Sequence, residues 1–477
     1  MTLEPAPADR IVRRRTRRDP KPRYKANTAH QLDAVLGTPE LIVPGDHLAR
    51  KVREIVTAMD FSALDERRSS LGRHGHDPRR VVAVLVYASL VGIHEASKIA
   101  LAVETDAAFR LLSGGHRLPQ GTLRRIRPQL RAFFATAVEQ TVRMAAERGL
   151  LKLDEVSVDS VRVRAHASSN SVRTVARSTQ RLAQLQAKKL DGMTEVERAA
   201  HDEKVVKHTD ALQRCEAESR TSISTTNPLA GLLKLPDGGS AAAHRVTVGA
   251  AGVTARFILA LLVDASGSDH GKVGPSLDAM KGVLERAGIG DQVLGVAYDA
   301  GYWSDEDVQA VEARTWADVV IAPGSRGERA LFEREDFKTN SDGAIVCPAG
   351  RIMRGPTKAG GTGLRYFGVG CTECPLRSRC TTAKQRALVL HPALDRAREK
   401  VQAPEGRARY RKRIATIEPV FSNIESVMKF RRSNTRHPAA VVAEIQLKAL
   451  AHNVSRLISG RLVSFFLVIV DEFRSTL

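Results

Sequence analysis

The stretch EVSVDSVRVRAHASSN (155–170) places an aspartate, Asp159, in the middle of an alternating run of valines. Aspartate is depleted in β-strands because its short polar side chain competes for backbone hydrogen bonds. The two valines before Asp159 share one face of the predicted strand, whereas Val161 and Val163 share the other. Side chains alternate with a period of two, so this change of phase predicts an extra residue or a turn near Asp159. The stretch alone is equally compatible with a hairpin in which Asp159 is only a turn residue.

The charge balance indicates a polyanionic partner. The 477-residue chain has 74 Lys and Arg against 53 Asp and Glu, a formal net charge of +21. Each phosphate that such a surface neutralises releases condensed counterions, so nucleic acid is the leading candidate. An anionic membrane surface is the second candidate, but no basic amphipathic helix with an aromatic face stands out.

Neither of the two long apolar runs is long enough to cross a membrane. Residues 81–93 and 462–470 are both shorter than the roughly 20 residues that a membrane helix needs, so both are predicted to be buried core. No secretion signal is recognisable, and five cysteines without such a signal indicate a reducing cytoplasm.

The patterning predicts an α/β protein with a mixed sheet flanked by helices, because strands alternate with helices after an antiparallel hairpin. The predicted segments are a basic, flexible arm (1–44), a helical DNA-binding domain (45–150), a mixed-sheet core (151–170 and 223–330), a charged helical insertion (171–222), a Cys-rich insertion (331–400), two helices that complete the core (401–460) and a C-terminal tail (461–477).

Two helix starts are predicted within 45–150. Asp77 is a candidate N-cap with Pro78 at the first helical position. Thr122 is a candidate cap for a basic helix that presents Arg124, Arg125 and Arg127. A basic helix after a Gly-containing turn is similar to the second helix of a helix-turn-helix, and an ordinary surface helix is an equal alternative.

Four cysteines predict a structural zinc site. Cys371 and Cys374 form a C-x2-C pair, with Cys347 before it and Cys380 after it. Four thiolates suit tetrahedral zinc and leave no open position for catalysis. Unpaired core cysteines are the alternative, because only the C-x2-C pair is tightly spaced.

Three carboxylates form the candidate catalytic set. Asp159 lies in a predicted strand, Asp299 ends another (293–298), and Glu418 lies on the flank of a helix. That helix has a predicted buried stripe, which consists of Ile414, Ile417, Phe421, Ile424 and Met428. Three convergent carboxylates suit two Mg²⁺ or Mn²⁺ ions, which prefer oxygen ligands and share coordination with phosphate. The spacing along the chain does not by itself establish the set.

Four segments in order resemble the DDE transposases of bacterial insertion sequences. These are VDSVRVRAHAS, AYDAGYWSDED, CPAG with GCTECPLRSRCT, and YRKRIATIEPVFSNIESVMKFRR, which EIQLKALAHNVSRL follows. The stretch HGHDPRRVVAVLVYASLVGIHEASKIALAVETDAAFRLLSGG also resembles the helical domain that precedes the catalytic domain in these enzymes.

The resemblance implies that Asp159, Asp299 and Glu418 are the family's two aspartates and its glutamate. The family's tyrosine and arginine fall on Tyr410 and Arg413. The chain departs from the family at several positions: Ser-Val follows the first aspartate in place of Gly-Thr, FSN replaces Phe-Gly-Asn, and Glu425 stands where relatives have lysine. Lys429, one helical turn further along the same ridge, is expected to substitute for that lysine, and the implied DNA contacts are Tyr410, Arg413, Lys429, Arg431 and Arg432.

The implied activity is metal-dependent cleavage at the inverted-repeat ends of an element, followed by strand transfer into target DNA. The resemblance also implies an RNase H-like fold, a homodimer assembled on DNA, and a location in the bacterial cytoplasm in association with the nucleoid. One alternative is a catalytically impaired or domesticated relative that binds DNA, which Glu425 favours. Another is a metal-dependent nuclease without strand transfer. A DNA-binding protein without catalysis would explain the charge but not the carboxylates.

Overall fold

The computed structural model describes residues 25–29, 38–68, 74–188, 190–324 and 331–475, with the backbone alone over 461–475. Most of the predicted basic arm (1–44) therefore lies outside the described residues. The chain divides into two compact units, Met1–Phe133 and Phe134–Leu477.

The first unit is helical, as the periodicity predicts. Its helices are α1 (Pro39–Ile42), α2 (Leu48–Thr57), α3 (Ser62–Asp65), α4 (Pro78–Leu90), α5 (Ala96–Thr105), α6 (Ala107–Ser113) and α7 (Gln120–Gln129).

Both predicted helix starts in this unit can be compared with the structure. The Asp77 side chain accepts a hydrogen bond from the Arg79 N–H, with Pro78 at the first helical position, so this cap is confirmed. The apolar run that follows is buried on every side of α4, from Val81 to Ser89. The prediction for Thr122 is wrong, because α7 already begins at Gln120 after Pro119 and no side chain caps it.

The second unit contains a mixed sheet with helices and two smaller sheets. Its elements are α8 (Arg131–Glu147), β1 (Val156–Arg164), β2 (Val172–Thr174), α9 (Val175–Gln186), α10 (Glu195–Ala217), β3 (Ser222–Ser224), β4 (Gly231–Lys234), β5 (Ser240–Ala251), β6 (Phe257–Asp264), α11 (Val273–Arg286), β7 (Leu294–Tyr298), α12 (Asp305–Glu312), β8 (Ala317–Ile321), β9 (Lys338–Thr339), β10 (Ile345–Val346), β11 (Arg354–Lys358), β12 (Leu364–Phe367), α13 (Arg377–Cys380), β13 (Ala387–Leu390), α14 (Pro392–Gln402), α15 (Pro404–Ser422) and α16 (Pro438–Ser475).

Strand β1 lies in the middle of the six-stranded sheet. The order is β4-β5-β1-β7-β8, and β6 also pairs with β5. β5 runs antiparallel to β1, β4 and β6, whereas β7 runs parallel to β1 and to β8. β5 is therefore the one strand of this sheet that runs against the direction of the others.

The predicted turn at Asp159 is wrong. β1 pairs with β5 without a break from Val156 to Arg164, and Asp159 lies opposite Val248. The valine pattern changes phase because both faces of this central strand are covered. Helix α11 and the main apolar core cover the face of Val158, and α15 covers the face of Asp159. A strand that is buried on both faces has no need to alternate apolar and polar residues.

Residues 171–222 fold into a helical hairpin, as the pattern predicts. α9 and α10 pack against each other, and β2 pairs with β3 at their base. The Thr194 side chain and the Glu197 side chain cap the start of α10 reciprocally. The buried apolar cluster at the base is small, and it consists of Ala211, Cys215 and Ile223.

The Cys-rich segment has a core of its own. β9 and β10 form one two-stranded sheet, and β11, β12 and β13 form a three-stranded one. The buried side chains beneath them are Phe337, Ile345, Met353, Leu388 and Leu390.

Helix α16 is anchored by two buried polar side chains. Asn453 accepts a hydrogen bond from Ile258 N–H at 2.8 Å and donates one to Ile258 C=O at 2.9 Å, which fastens α16 to β6. His452 Nε2 donates to the Arg256 carbonyl at 2.8 Å, so its Nδ1 accepts from Asn423 Nδ2 at 2.8 Å.

The backbone of α16 continues to Ser475, past the predicted boundary at residue 460. The burial predicted for 462–470 concerns side chains outside the described set. Within the part of the chain that the structure describes, no helix is long and apolar enough to cross a membrane.

We predict that His452 makes folding sensitive to acid. Burial lowers the pKa of His452 from 6.5 to about 4, so between these values the unfolded chain binds more protons than the folded chain. The free energy of unfolding should therefore fall as the pH decreases through this window, by about 3 kcal/mol in total. Urea unfolding of the protein at a series of pH values measures this slope.

His452→Gln should flatten the slope, because glutamine keeps both hydrogen bonds and carries no proton that titrates. The exposed His437 provides the matched control, and His437→Gln should keep the full slope. Equal slopes in all three proteins would contradict the assignment to His452.

Candidate active site

Two of the predicted carboxylates lie next to each other on adjacent strands. β1 and β7 are parallel, with Val158 opposite Tyr298. The next residue in each strand is an aspartate, Asp159 in β1 and Asp299 at the end of β7. The register therefore brings these two side chains together, which the sequence could not establish.

The electrostatics of Asp159 reflect this proximity. Burial and then the negative charge of Asp299 raise the pKa of the Asp159 carboxyl, against the opposing effects of the Ser160 N–H and of Arg413. Arg413 Nη1 donates to Asp159 Oδ2 at 2.8 Å, and both side chains are largely buried. The carboxylate charge of Asp159 is thus held between a like charge on the sheet and a cation from α15.

Asp299 is oriented by the turn that follows it. Its side chain accepts a hydrogen bond from the Gly301 N–H at 2.7 Å. A Cβ at position 301 would lie 3.0 Å from Asp299 Oδ1 and 3.1 Å from Asp269 Oδ2. Glycine therefore allows a third carboxylate, Asp269, to approach the same turn.

Sequence reasoning did not identify Asp269, which lies in the loop after β6. Ser160 Oγ donates to Asp269 Oδ1 at 2.6 Å. Arg245 on β5, whose side chain is fully buried, forms an ion pair with the same oxygen and donates from Nη1 to Ser160 Oγ at 3.2 Å. Burial lowers the pKa of Arg245. The SGSDHG sequence indicates only a loop, so the signal that identifies Asp269 is spatial.

Glu418 lies on the exposed side of α15. The helix packs on β1, β5, β7 and β8, and its buried positions include Arg413, Thr416, Ile417 and Val420. At 3.6 residues per turn, Glu418 lies about 140° around the helix from Arg413. Among the described residues, no three or more His, Cys, Asp or Glu side chains form a group that could hold a metal ion.

The predicted apolar stripe on this helix is partly wrong. Ile417 and Met428 are fully buried, but Ile414 is 63% exposed. The buried face includes Arg413 and Thr416 in its place, because the helix covers polar Asp159 as well as apolar side chains.

The prediction that Lys429 takes the place of the family's lysine is also wrong in its geometry, because Lys429 does not lie on the helix face expected for it. The α-helix ends at Ser422, and Asn423–Val427 form a π-helical turn that contains Glu425. Lys429 follows with a left-handed φ of 55°. It therefore does not continue the ridge on which Glu425 was predicted to lie.

The other predicted DNA contacts differ in exposure. Lys429, Arg431 and Arg432 are exposed, and Arg432 Nε donates to the Ala165 carbonyl just after β1 at 3.2 Å. Tyr410 is half-buried, and its ring packs against a cluster of Ala297, Val320 and Val401.

Helix α7 of the first unit exposes two of the three arginines predicted to contact DNA. Arg124 and Arg125 are exposed. Arg127 is half-buried and donates to the His94 carbonyl at 2.8 Å, so this side chain also stabilises the helical unit.

All four predicted zinc ligands line a single cavity. Cys347, Cys371, Cys374 and Cys380 surround about 20 Å³ of space, close to the ~10–15 Å³ that one water molecule requires. Burial, together with the charges of the other three thiols, raises the pKa of Cys380 against the opposing effect of Arg386.

Comparison with protein families gives two partial matches. A model described as transposase DDE domain matches residues 346–458, and a model described as transposase domain (DUF772) matches residues 39–127. Together these two matches support a DDE-type transposase of an insertion element. The DDE match includes Glu418, whereas Asp159 and Asp299 precede it. Comparison with curated proteins and with solved structures gives no match.

We predict that Gly301→Ala impairs this transposase. The new methyl group must displace the carboxylates of Asp299 and Asp269, and a displacement of about 1 Å at a reacting centre can cost up to ~100-fold in rate. We expect excision of a marked element from a plasmid to fall by at least ~10-fold.

Gly267→Ala is the matched control, because no heavy atom lies within 4 Å of its added Cβ. This variant should excise the element at the same rate as the unsubstituted protein. Normal excision by Gly301→Ala would show that the close approach at residue 301 has no part in function.

Proposed function

We propose that this transposase cleaves DNA at the ends of its element and joins them to target DNA, using divalent ions held by Asp159, Asp299 and Glu418. The observation that carries the proposal is the position of Asp159, within β1, beside Asp299, which follows the parallel strand β7. Glu418 lies on the exposed side of α15, the helix that covers these strands. The transposase families that match the chain supply the class of reaction.

The sheet order supports assignment of the catalytic core to the RNase H-like folds. One strand, β5, runs against all the others, and the two parallel strands β1 and β7 carry the acidic residues at adjacent positions. On this assignment the hairpin of α9 and α10 and the Cys-rich segment are insertions into the core.

The donor set fits a hard divalent cation. Carboxylate oxygens are the ligands that Mg²⁺ and Mn²⁺ prefer. Burial and then the negative charge of Asp299 raise the pKa of Asp159, so positive charge placed between the two aspartates would relieve a repulsion that is already present. When bound, two such ions would activate the attacking oxygen and stabilise the leaving oxygen.

The proposed chemistry consists of two in-line displacements. In the first, a water oxygen bonds to phosphorus at the element end while the bond from phosphorus to the 3′-oxygen breaks, which leaves a 3′-hydroxyl. In the second, that hydroxyl gives up its proton to solvent as its oxygen bonds to a target phosphorus, and the target's own 3′-oxygen leaves and takes up a proton from solvent. Neither step needs a covalent bond to the protein, so Tyr410 serves to position DNA.

Arg413 has a positioning role in this scheme. Its guanidinium fixes the Asp159 carboxylate on the face of the sheet that α15 covers and brings positive charge to the place where a phosphate must approach two aspartates. Lys429, Arg431 and Arg432 on the exposed segment after α15, with Arg124, Arg125 and Arg127 on α7, are the proposed contacts to the DNA backbone.

Two ends of one element must be cut and joined together, so we propose a homodimer that assembles on DNA. Its proposed location is the bacterial cytoplasm, at the nucleoid, where both the ends and the target are found.

The catalytic assignment predicts separable effects on cleavage and binding. Asp159→Asn, Asp299→Asn and Glu418→Gln should each reduce Mg²⁺-dependent cleavage of a duplex with the terminal repeats by at least ~100-fold, the size of effect that loss of preorganised electrostatic stabilisation produces. DNA affinity should be unchanged within a factor of about 3, because none of these residues is basic.

Glu405→Gln is the control for Glu418, since both glutamates are exposed on α15. Full cleavage by any of the three variants would remove that residue from the site. Cleavage without joined product in the unsubstituted protein would identify a nuclease that does not transfer strands, and DNA binding without cleavage would identify the impaired relative.

We also propose that Cys347, Cys371, Cys374 and Cys380 bind a structural Zn²⁺. The support is their shared cavity and the mutual effect of the thiols on the pKa of Cys380, which a bound cation would reverse. The small core beneath this segment explains the need for a metal, because few apolar side chains hold it together.

Cys374→Ser should lower both the zinc content and the thermal unfolding temperature of the purified protein, while leaving DNA affinity unchanged. Elemental analysis and calorimetry measure the two effects. Cys215→Ser is the control, because Cys215 is not one of the four predicted zinc ligands and is buried at the base of the helical hairpin. The zinc content of this variant should equal that of the unsubstituted protein. Zinc-free unsubstituted protein would refute the site.

A further inference from the structure

The helical hairpin carries a polar groove that the proposed chemistry does not use. Its lining surrounds a volume of about 480 Å³ and consists of Asn170, Arg173, Arg177, Gln180, Arg181, Gln184 and His208. None of these side chains is acidic or apolar. Three arginines and three amides therefore face a common open space.

The helix geometry places the arginines in a row. Arg177 and Arg181 are four residues apart on α9, so they share one ridge with about 6 Å between them along the helix axis. Arg173 precedes them by another four residues, on β2. All three arginines line the groove, with Arg177 and Arg181 on one ridge of α9.

No carboxylate neutralises this row. Among the described residues, Arg173, Arg177 and Arg181 make no ion pair, although other arginines of the same unit, such as Arg314 with Asp278 at 2.6 Å, do so. Arg173 Nη1 is held by the Asn170 carbonyl at 2.7 Å, and its buried Nε has no hydrogen-bond partner. The row therefore presents positive charge that no described carboxylate balances at ion-pair distance.

His208 confirms the sign of the local potential. Its Nδ1 forms a hydrogen bond with Ser178 Oγ at 3.1 Å. Burial and then the charges of Arg173, Arg181, Arg177 and Lys207 lower its pKa.

We propose that this groove, defined by the seven residues above, binds the phosphate backbone of double-stranded DNA. A row of unpaired arginines flanked by amide donors is suited to consecutive phosphates, which accept from both groups. No aromatic side chain lines the groove, so it lacks the stacking platform that binding of unpaired bases requires.

The groove would give the transposase a DNA contact outside its catalytic core, independent of base sequence. This inference rests on the proposed function, because the proposed function supplies DNA as the partner. The hairpin has only a small apolar cluster at its base, so extensive core packing does not explain its length. Backbone binding by its arginines offers a reason for the insertion.

The test measures how binding of the full-length protein to a duplex of about 30 base pairs depends on salt. Each lost phosphate contact reduces the slope of log K against log salt concentration by about 1. Arg177→Gln with Arg181→Gln should therefore lower the slope by about 2, and equally for two duplexes of unrelated sequence. Fluorescence anisotropy between about 50 and about 200 mM salt, where the slope is linear, measures the affinity.

The control removes the same charge from the same hairpin. Arg198 and Lys204 are exposed on α10 and do not line the groove, so Arg198→Gln with Lys204→Gln should leave the slope nearly unchanged. Arg177→Lys with Arg181→Lys retains the charge and should retain most of the slope, which separates loss of contact from misfolding.

Equal slopes in the groove variant and the control variant would overturn the proposal, as would an equal loss of affinity for single-stranded DNA. Failure of the catalytic proposal gives a different result. The groove variant should still cleave at the normal rate when DNA is saturating, whereas Asp159→Asn should bind normally and not cleave.

Discussion

The ion pair between Asp159 and Arg413 is the contact on which the arrangement of the site depends. It joins the central strand of the sheet to α15 at a distance of 2.8 Å, and α15 covers the strands that carry both aspartates. A largely buried ion pair contributes little net stability, because desolvation of the two charges offsets their attraction. Its effect is on position: an unpaired Arg413 in this place would be costly, so the helix is fixed in one register against β1.

The same pair explains why the polar face of β1 is compatible with a buried strand. Asp159 would otherwise be an uncompensated charge in the interior. On the opposite face, Arg245 and Asp269 form a second ion pair that Ser160 joins by hydrogen bonds. Two adjacent residues of one strand thus each meet an arginine from a neighbouring element, one on each side of the sheet. The valines on either side supply the apolar burial.

Local patterns predicted the features that local chemistry determines. The Asp77 cap with Pro78 and the buried run Val81–Ser89 of α4 follow from residues within one or two helical turns. The position of Asp299 at a strand end also followed from the sequence. The proximity of Asp299 to Asp159 did not follow from the sequence, because the parallel register of Val158 with Tyr298 depends on a pairing that spans 140 residues.

The errors share a cause in tertiary packing. The predicted turn at Asp159 assumed a strand with one exposed face, whereas β1 is covered on both. The predicted stripe on α15 assumed that apolar residues mark the buried face, yet Arg413 is buried and Ile414 is exposed. Asp269 had no local signal at all, because only the loop after β6 and the small size of Gly301 bring it to the site.

The negative charges of Asp159 and Asp299 limit how closely a phosphodiester can approach them. Two adjacent carboxylates repel a phosphodiester, and the net charge of +21 does not remove that repulsion, because exposed charges further away than about 8 Å are screened at physiological salt. Positive charge must therefore be supplied locally. Arg413 supplies one unit on one face of the sheet and Arg245 another on the opposite face, but each is already committed to an aspartate. On the proposed function, bound dications would compensate Asp299, which has no arginine of its own among the described residues, and the distant basic surface would hold the DNA.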